Sequence, residues 1–249
     1  GIDKGWTYTK TIISNAGDTS LRHTFDDFIN EGRSKWDSFA SKLTSAVFKT
    51  WIKGYENGMS EIHHSDQIES KLEFDLDATI FIDKKYKGFE VLDGTGADGR
   101  DDDDEGDFQT PFINIYFGIN PEWLPGEWSE VYFHLADVMR HEMEHITQDG
   151  IDHGNYRAGK PIEDDSQMRA LIKLGILPQA QYMMLPKEVD ANLQGLRYEA
   201  KKRKEAMGDA VNRYLDTQEQ GGVIDGTERE EIMATWRRRA KKIGGIPKF

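Results

Sequence analysis

Five consecutive residues, His141-Glu142-Met143-Glu144-His145, carry the strongest chemical signal in the 249-residue chain. On a helix, side chains four apart lie one above the other on the same face, so both imidazoles can reach one point in space. That is the H-E-x-x-H arrangement, in which two histidines bind a metal ion and the glutamate between them serves as general base. Zinc is the natural occupant, because it accepts imidazole nitrogen at about 2.0 to 2.1 Å and needs no thiolate; the chain contains no cysteine. Glu142 falls beside the open coordination position, placed to take a proton from the activated water. The competing reading is a solvated helix with two incidental histidines, in which Arg140 pairs with Glu144 one turn on.

Catalytic zinc takes three protein ligands and keeps one place for water, so a third ligand must come from downstream. His153 follows His145 by eight residues, and Glu163, Asp164 and Asp165 follow by eighteen to twenty, where an aspartate reads more readily as a helix cap. Glu188 ranks first. In Leu185-Pro186-Lys187-Glu188-Val189-Asp190-Ala191-Asn192 it opens a second helix, with small Ala191 allowing close approach to the first. Asn192, one turn after Glu188, is placed to accept a hydrogen bond from the far ring nitrogen of His141. His134, two turns before His141, reads as support or core.

The elements that must hold these residues follow from periodicity. From Asp18 to about Tyr55, apolar and aromatic residues recur at threes and fours, giving two amphipathic helices broken near Glu31-Gly32, with Trp36, Phe39, Leu43 and Val47 as a core stripe. Leu72, Phe74 and Leu76 alternate with acids and lead into Ile80-Phe81-Ile82, one strand; Phe112 to Phe117 is another. Between them, Asp101, Asp103, Glu105 and Gly106 mimic the start of a calcium loop within residues 98–107, but its twelfth position is Phe112 where a bidentate glutamate belongs, so a solvated hairpin tip is the default. A helix is expected over Glu130 to Gln148 with Ser129 as cap, then a short one from Ser166 to Leu174, a long one from Lys187 to about Met207, and a last one from Glu228 to Ile243. The fold class is α+β, mainly helical with a small antiparallel sheet. Its expected parts are an N-terminal helical region (1–60), a core holding the active-site helix and the glutamate helix (61–215), and a basic C-terminal helix and tail (216–249).

The combination His141-Glu142-x-x-His145-x-x-Gln148, Tyr182, Leu185-Pro186-x-Glu188 and Ala191 resembles the zincin metallopeptidases, specifically the Glu-ligand branch called gluzincins, and more narrowly the small peptidase-like proteins of tailed bacteriophages. The likeness covers about residues 111 to 205. It implies a zinc peptidase with His141, His145 and Glu188 as ligands, Glu142 as general base and proton shuttle, and Tyr182 as stabiliser of the oxyanion, with His153 and Tyr156 behind it. It also implies an antiparallel edge strand at Phe112 to Phe117 that pairs with an extended peptide or protein substrate. The sequence departs from the best-studied gluzincins in carrying Asn192 where they have aspartate, and in a longer gap, with Glu188 standing 43 positions after His145.

Charge narrows the remaining classes. Residues 197–249 carry 13 Lys+Arg against 9 Asp+Glu and the rest 19 against 36, which splits the formal net charge of -13 into +4 and -17. An acidic body argues against nucleic acid as a partner, and the basic runs Arg197 to Lys204 and Arg237 to Lys242 lack an aromatic platform. No apolar run is long enough for a membrane span and no secretion signal is recognisable. The expected setting is the cytoplasm, that of a host cell if phage-encoded, or a virion. The competing function is a zinc-stabilised structural or host-interaction protein without catalysis.

Overall fold

The computed structural model describes residues 21–69, 73–98, 111–124, 126–148, 165–243 and 245–249, and the chain divides into two compact units, Gly1–Phe39 and Ala40–Phe249. Helix α1 spans Leu21–Glu56 without interruption. The break expected at Glu31-Gly32 is absent, because a lone helical glycine costs only about 1 kcal/mol and no proline follows it. In the first unit the Trp36 and Phe39 rings lie 6.4 Å apart.

Within the second unit, Ala40, Leu43, Val47 and Trp51 recur at threes and fours along α1 and are buried. They lie against a sheet, where the Trp51 indole donates to the Ala78 carbonyl at 3.3 Å and meets the Phe117 ring at 5.4 Å. The sheet has five strands, β1 (Glu61–Glu69), β2 (Glu73–Ile82), β3 (Phe89–Val91), β4 (Gly96–Asp98) and β5 (Phe112–Ile119), in the order β1-β2-β5-β3 with β4 also on β5. β1 pairs antiparallel with β2, and β3 and β4 antiparallel with β5. β2 and β5 run parallel, with Ala78 opposite Ile115.

Two expectations are therefore corrected. The sheet is mixed rather than antiparallel, and the strand at Phe112 to Phe117 is internal rather than an edge. Alternation of apolar residues reports which face is buried and not strand direction, and the chain between β2 and β5 holds two further strands, enough for a crossover.

A 3-10 turn at Pro121–Trp123, capped by the Asn120 side chain, turns the chain from β5 toward α2 (Trp128–Gln148). That helix starts two residues earlier than expected, with the Trp128 ring packed on Phe48 and Tyr55 at 5.7 and 5.5 Å. α3 (Ser166–Lys173) ends at Gly175, whose φ of 71° suits glycine. α4 (Gln179–Tyr182), α5 (Pro186–Arg203), α6 (Met207–Gln220) and α7 (Gly226–Ile243) follow. α5 stops short of the expected Met207 because Lys204 turns left-handed, with φ 58°, and its amide caps Ala200 and Lys201. α7 begins on a reciprocal cap, with Asp225 accepting from the Thr227 and Glu228 amides and Glu228 from the Asp225 amide.

Val189, Leu193, Leu196 and Ala200 of α5 share one core with Val211 and Leu215 of α6 and Ile232, Trp236 and Ala240 of α7. Among the described residues no helix is long and apolar enough to cross a membrane.

Candidate metal centre

α2 has no proline or glycine from Trp128 to Gln148 and buries Val131, Leu135, Met139, Met143 and Ile146, one apolar stripe that fixes its rotation against the core. His141 and His145 then share a different face, and their rings meet edge to face at 4.8 Å with the two Nε2 atoms 3.1 Å apart. Glu188, in the first turn of α5, reaches the same point. Its Oε2 is 3.6 Å from His141 Nε2 and its Oε1 3.4 Å from His145 Nε2. One ligand atom from each of the three residues lies within 4.8 Å of the others.

These spacings fit a metal. Four ligands tetrahedrally placed at 2.0 to 2.1 Å stand about 3.3 Å from one another; the two Nε2 atoms are 3.1 Å apart, and a different Glu188 oxygen faces each of them, at 3.6 and 3.4 Å. The Glu188 side chain is 3% exposed while those of His141 and His145 are 20% and 13% exposed, so the group opens on its histidine side. It opens into a cleft of about 200 Å³ lined by Thr95, Gly96 and Ala97 on one side and by Glu142, Tyr182 and Lys187 among others.

The electrostatics are those of a carboxylate held among cations. Burial alone would push the Glu188 carboxyl up, but hydrogen bonds from His141 and His145 outweigh it and hold the group far below the usual range. Burial opposes protonation of His141, yet Glu188 and Glu142 beside it raise its affinity for a proton. Glu142 is buried and burial raises its carboxyl above the ordinary value, partly offset by the two histidines and by a hydrogen bond from the Ala97 main chain. Tyr182 is raised too, first by burial and then by the Glu188 charge.

Five expected residues thus line one cleft: His141, Glu142, His145, Tyr182 and Glu188. Asp165 sits at the cap position of α3 without capping it, and its carboxylate grips Arg169 through both oxygens rather than joining the ligand group. Asn192 is buried, and among the described residues no hydrogen bond joins it to His141. His134 stacks on Phe89 at 4.7 Å, away from the ligand group, and burial lowers its affinity for a proton. The Arg140–Glu144 ion pair of the competing reading is also present, at 2.9 Å and fully buried, about 100° round the helix from the histidines. His153, Tyr156, Glu163, Asp164 and the acidic loop 99–107 lie outside the described residues.

One residue of the cleft escaped sequence reasoning. Arg169 donates to Glu188 Oε1 at 2.8 Å and to the Tyr182 hydroxyl at 3.0 Å. Its spacing of four from Asp165 on a short helix was the available signal. The approach of the glutamate helix is likewise set at Gly195, where a Cβ would collide with the Asp137 carboxylate and lie 3.3 Å from His141 Cβ.

No protein-family model, no curated protein and no solved structure matches this chain.

Proposed function

We propose that this protein is a zinc-dependent metallopeptidase. The observation that carries the reading is the convergence of His141, His145 and Glu188, with ligand atoms within 4.8 Å of one another, in an open cleft that also holds Glu142. Two imidazoles and one carboxylate are the donor set of catalytic zinc in peptidases, and the metal, when bound, supplies a Lewis acid that polarises the scissile carbonyl and acidifies water.

The chain's own residues do the rest. Glu142 removes the proton from the attacking water; its raised affinity lets it hold that proton and deliver it to the departing amine nitrogen. Tyr182 turns its phenolic hydrogen toward the carbonyl oxygen as negative charge develops there. The substrate strand lies along β4, which pairs with β5 on one side while Thr95, Gly96 and Ala97 line the cleft on the other. β4 thus takes the part expected of the Phe112 to Phe117 strand. The partner is an extended segment of a peptide or protein.

The non-catalytic alternative accounts for less. A zinc that only pins helices gains nothing from a general base and is normally closed by a fourth protein ligand, and among the described residues the ligand group contains three.

Elemental analysis of the purified chain after dialysis, beside cleavage of an unfolded protein, tests the reading. Wild type and Glu142→Gln are expected to hold about one zinc per chain, as catalytic zinc sites do, Glu188→Ala to hold none, and cleavage to vanish in Glu142→Gln. A Glu142→Gln variant that cleaves as fast as wild type removes Glu142 from the mechanism, and a wild type that takes up no zinc overturns the metallopeptidase.

A further inference from the structure

The Arg169 guanidinium donates hydrogen bonds to three groups. Nε and Nη2 donate to the two Asp165 oxygens at 2.9 and 3.1 Å, Nη2 also donates to Glu188 Oε1 at 2.8 Å, and Nη1 donates to the Tyr182 hydroxyl at 3.0 Å. The same group lies 5.1 Å from the centre of the Tyr182 ring. No ammonium could make this set, since a lysine offers a point charge where the guanidinium offers a rigid fork. The fork joins α3, α4 and α5, since Asp165 precedes α3, Tyr182 ends α4 and Glu188 lies in the first turn of α5.

We propose that Arg169 is a positioning residue that presents Glu188 to the metal through Oε2 and aims the Tyr182 hydroxyl into the cleft, with Asp165 as its anchor. The inference rests on the metallopeptidase reading above and adds to it which residues preform the third ligand. With Oε1 engaged by the guanidinium, the carboxylate cannot rotate about its axis without breaking a charge-assisted bond, so Oε2 stays turned to His141 while Oε1, shared with Arg169, stays beside His145. The Tyr182 oxygen accepts from Nη1 and its hydroxyl also hydrogen-bonds Glu188, which holds the phenol at the edge of the ligand group. Asp165 takes the Nε hydrogen and one Nη2 hydrogen side-on and so fixes the plane of the fork.

Charge and geometry make opposite predictions, which makes the role testable. Removing a cation beside the ligands would by itself strengthen binding of a dication; loss of orientation weakens it. Zinc affinity is measured by competition with a chromophoric chelator for wild type, Arg169→Lys, Arg169→Met, Asp165→Asn and Glu188→Ala, and cobalt-loaded samples are compared by visible absorption. The positioning role predicts affinity about 10 to 100-fold weaker in both Arg169 variants, the usual effect of losing a group that orients a metal ligand. It also predicts altered cobalt bands in Arg169→Lys and a smaller weakening in Asp165→Asn. Arg169→Lys keeps the charge, so it decides the matter if Arg169→Met fails to fold. Arg169→Lys with wild-type affinity and spectrum, or Arg169→Met binding more tightly than wild type, overturns the proposal while leaving the peptidase standing. Asp165→Asn losing zinc as completely as Glu188→Ala makes Asp165 a ligand and overturns it as well. A wild type that takes up no zinc removes the metallopeptidase and this proposal together.

Discussion

Gly195→Ala sets two well-measured effects against each other, and the structure says which wins. Alanine in a helix interior is about 1 kcal/mol more favourable than glycine, so at a solvated position the exchange would stabilise α5. Gly195, however, faces α2 seven residues after Glu188. The added methyl would collide with the Asp137 carboxylate, stand 3.0 Å from the Asp137 carbonyl and 3.3 Å from His141 Cβ. The carboxylate can rotate away only at a cost. Burial, with Glu199 nearby, already pushes Asp137 well above the usual carboxyl range, the mark of a site with little water to receive it. The carbonyl and His141 Cβ belong to the helix itself and move only with it. Overpacking of this kind costs roughly 1 to 3 kcal/mol, which exceeds the propensity gain at most of that range. The expected result is a melting temperature lowered by about 2 to 4 °C for each kcal/mol of net destabilisation, together with weaker zinc binding, because α2 and α5 carry the histidines and Glu188 and separate at the contact. Urea and thermal unfolding of the metal-free chain, then chelator competition, read the two effects. A Gly195→Ala chain more stable than wild type would mean that propensity governs and that the helices do not touch at Gly195.

Two further perturbations probe the support of the site. Arg239 of α7 grips Asp190 of α5 through both oxygens at 2.6 Å, and the Asp190 side chain is fully buried. Arg239→Met should therefore cost about 3 kcal/mol or more by leaving that carboxylate uncompensated, while the double change with Asp190→Leu recovers most of the loss; equal urea midpoints for the single variant and wild type would refute this. His134 is pushed by burial to a lower proton affinity than the ordinary imidazole, as is His64. The unfolded chain then binds protons that these two native histidines resist, so the stability they contribute is complete above about pH 6.5 and falls as pH drops below it. His134→Phe keeps the stacking on Phe89 and should lose less stability between pH 7 and 5; an unchanged pH slope would remove His134 from the account.

What could be read from the sequence was what repeats. The α2 stripe from Val131 to Ile146 and the i, i+4 histidines state their own geometry, and Glu188 announces itself as an acid in a proline-started first turn. β1 was silent because in Glu61–Glu69 only Ile62 and Ile68 are buried among the described positions, too few for alternation to show. β4, three residues of Gly-Ala-Asp, carries no strand propensity at all and exists because β5 offers it a ladder. Lys204 gave no warning of the helix end, since the left-handed region is ordinarily signalled by glycine or asparagine. Arg169 reads like any cation on a short helix until α3, α4 and α5 fold together.

The uneven charge of the chain has its explanation in the glutamate helix. α5 buries three carboxylates, those of Glu188, Asp190 and Glu199. Glu188 is met by Arg169 of α3, Asp190 by Arg239 of α7, and Glu199 by Arg203 of α5 itself and by Arg213 of α6. Arg203 also holds Glu130 at the start of α2 through two hydrogen bonds, at 2.7 and 2.6 Å. The basic runs, which lack the aromatic platform of a nucleic-acid surface, thus supply in part internal counterions to acids buried along α5. A buried carboxylate without its partner is far more costly than the pair is stabilising, so these bridges act chiefly by penalising any other placement of α5. The position of Glu188 relative to His141 and His145 is then set both by Arg169 within the cleft and by α6 and α7, helices that line no part of it.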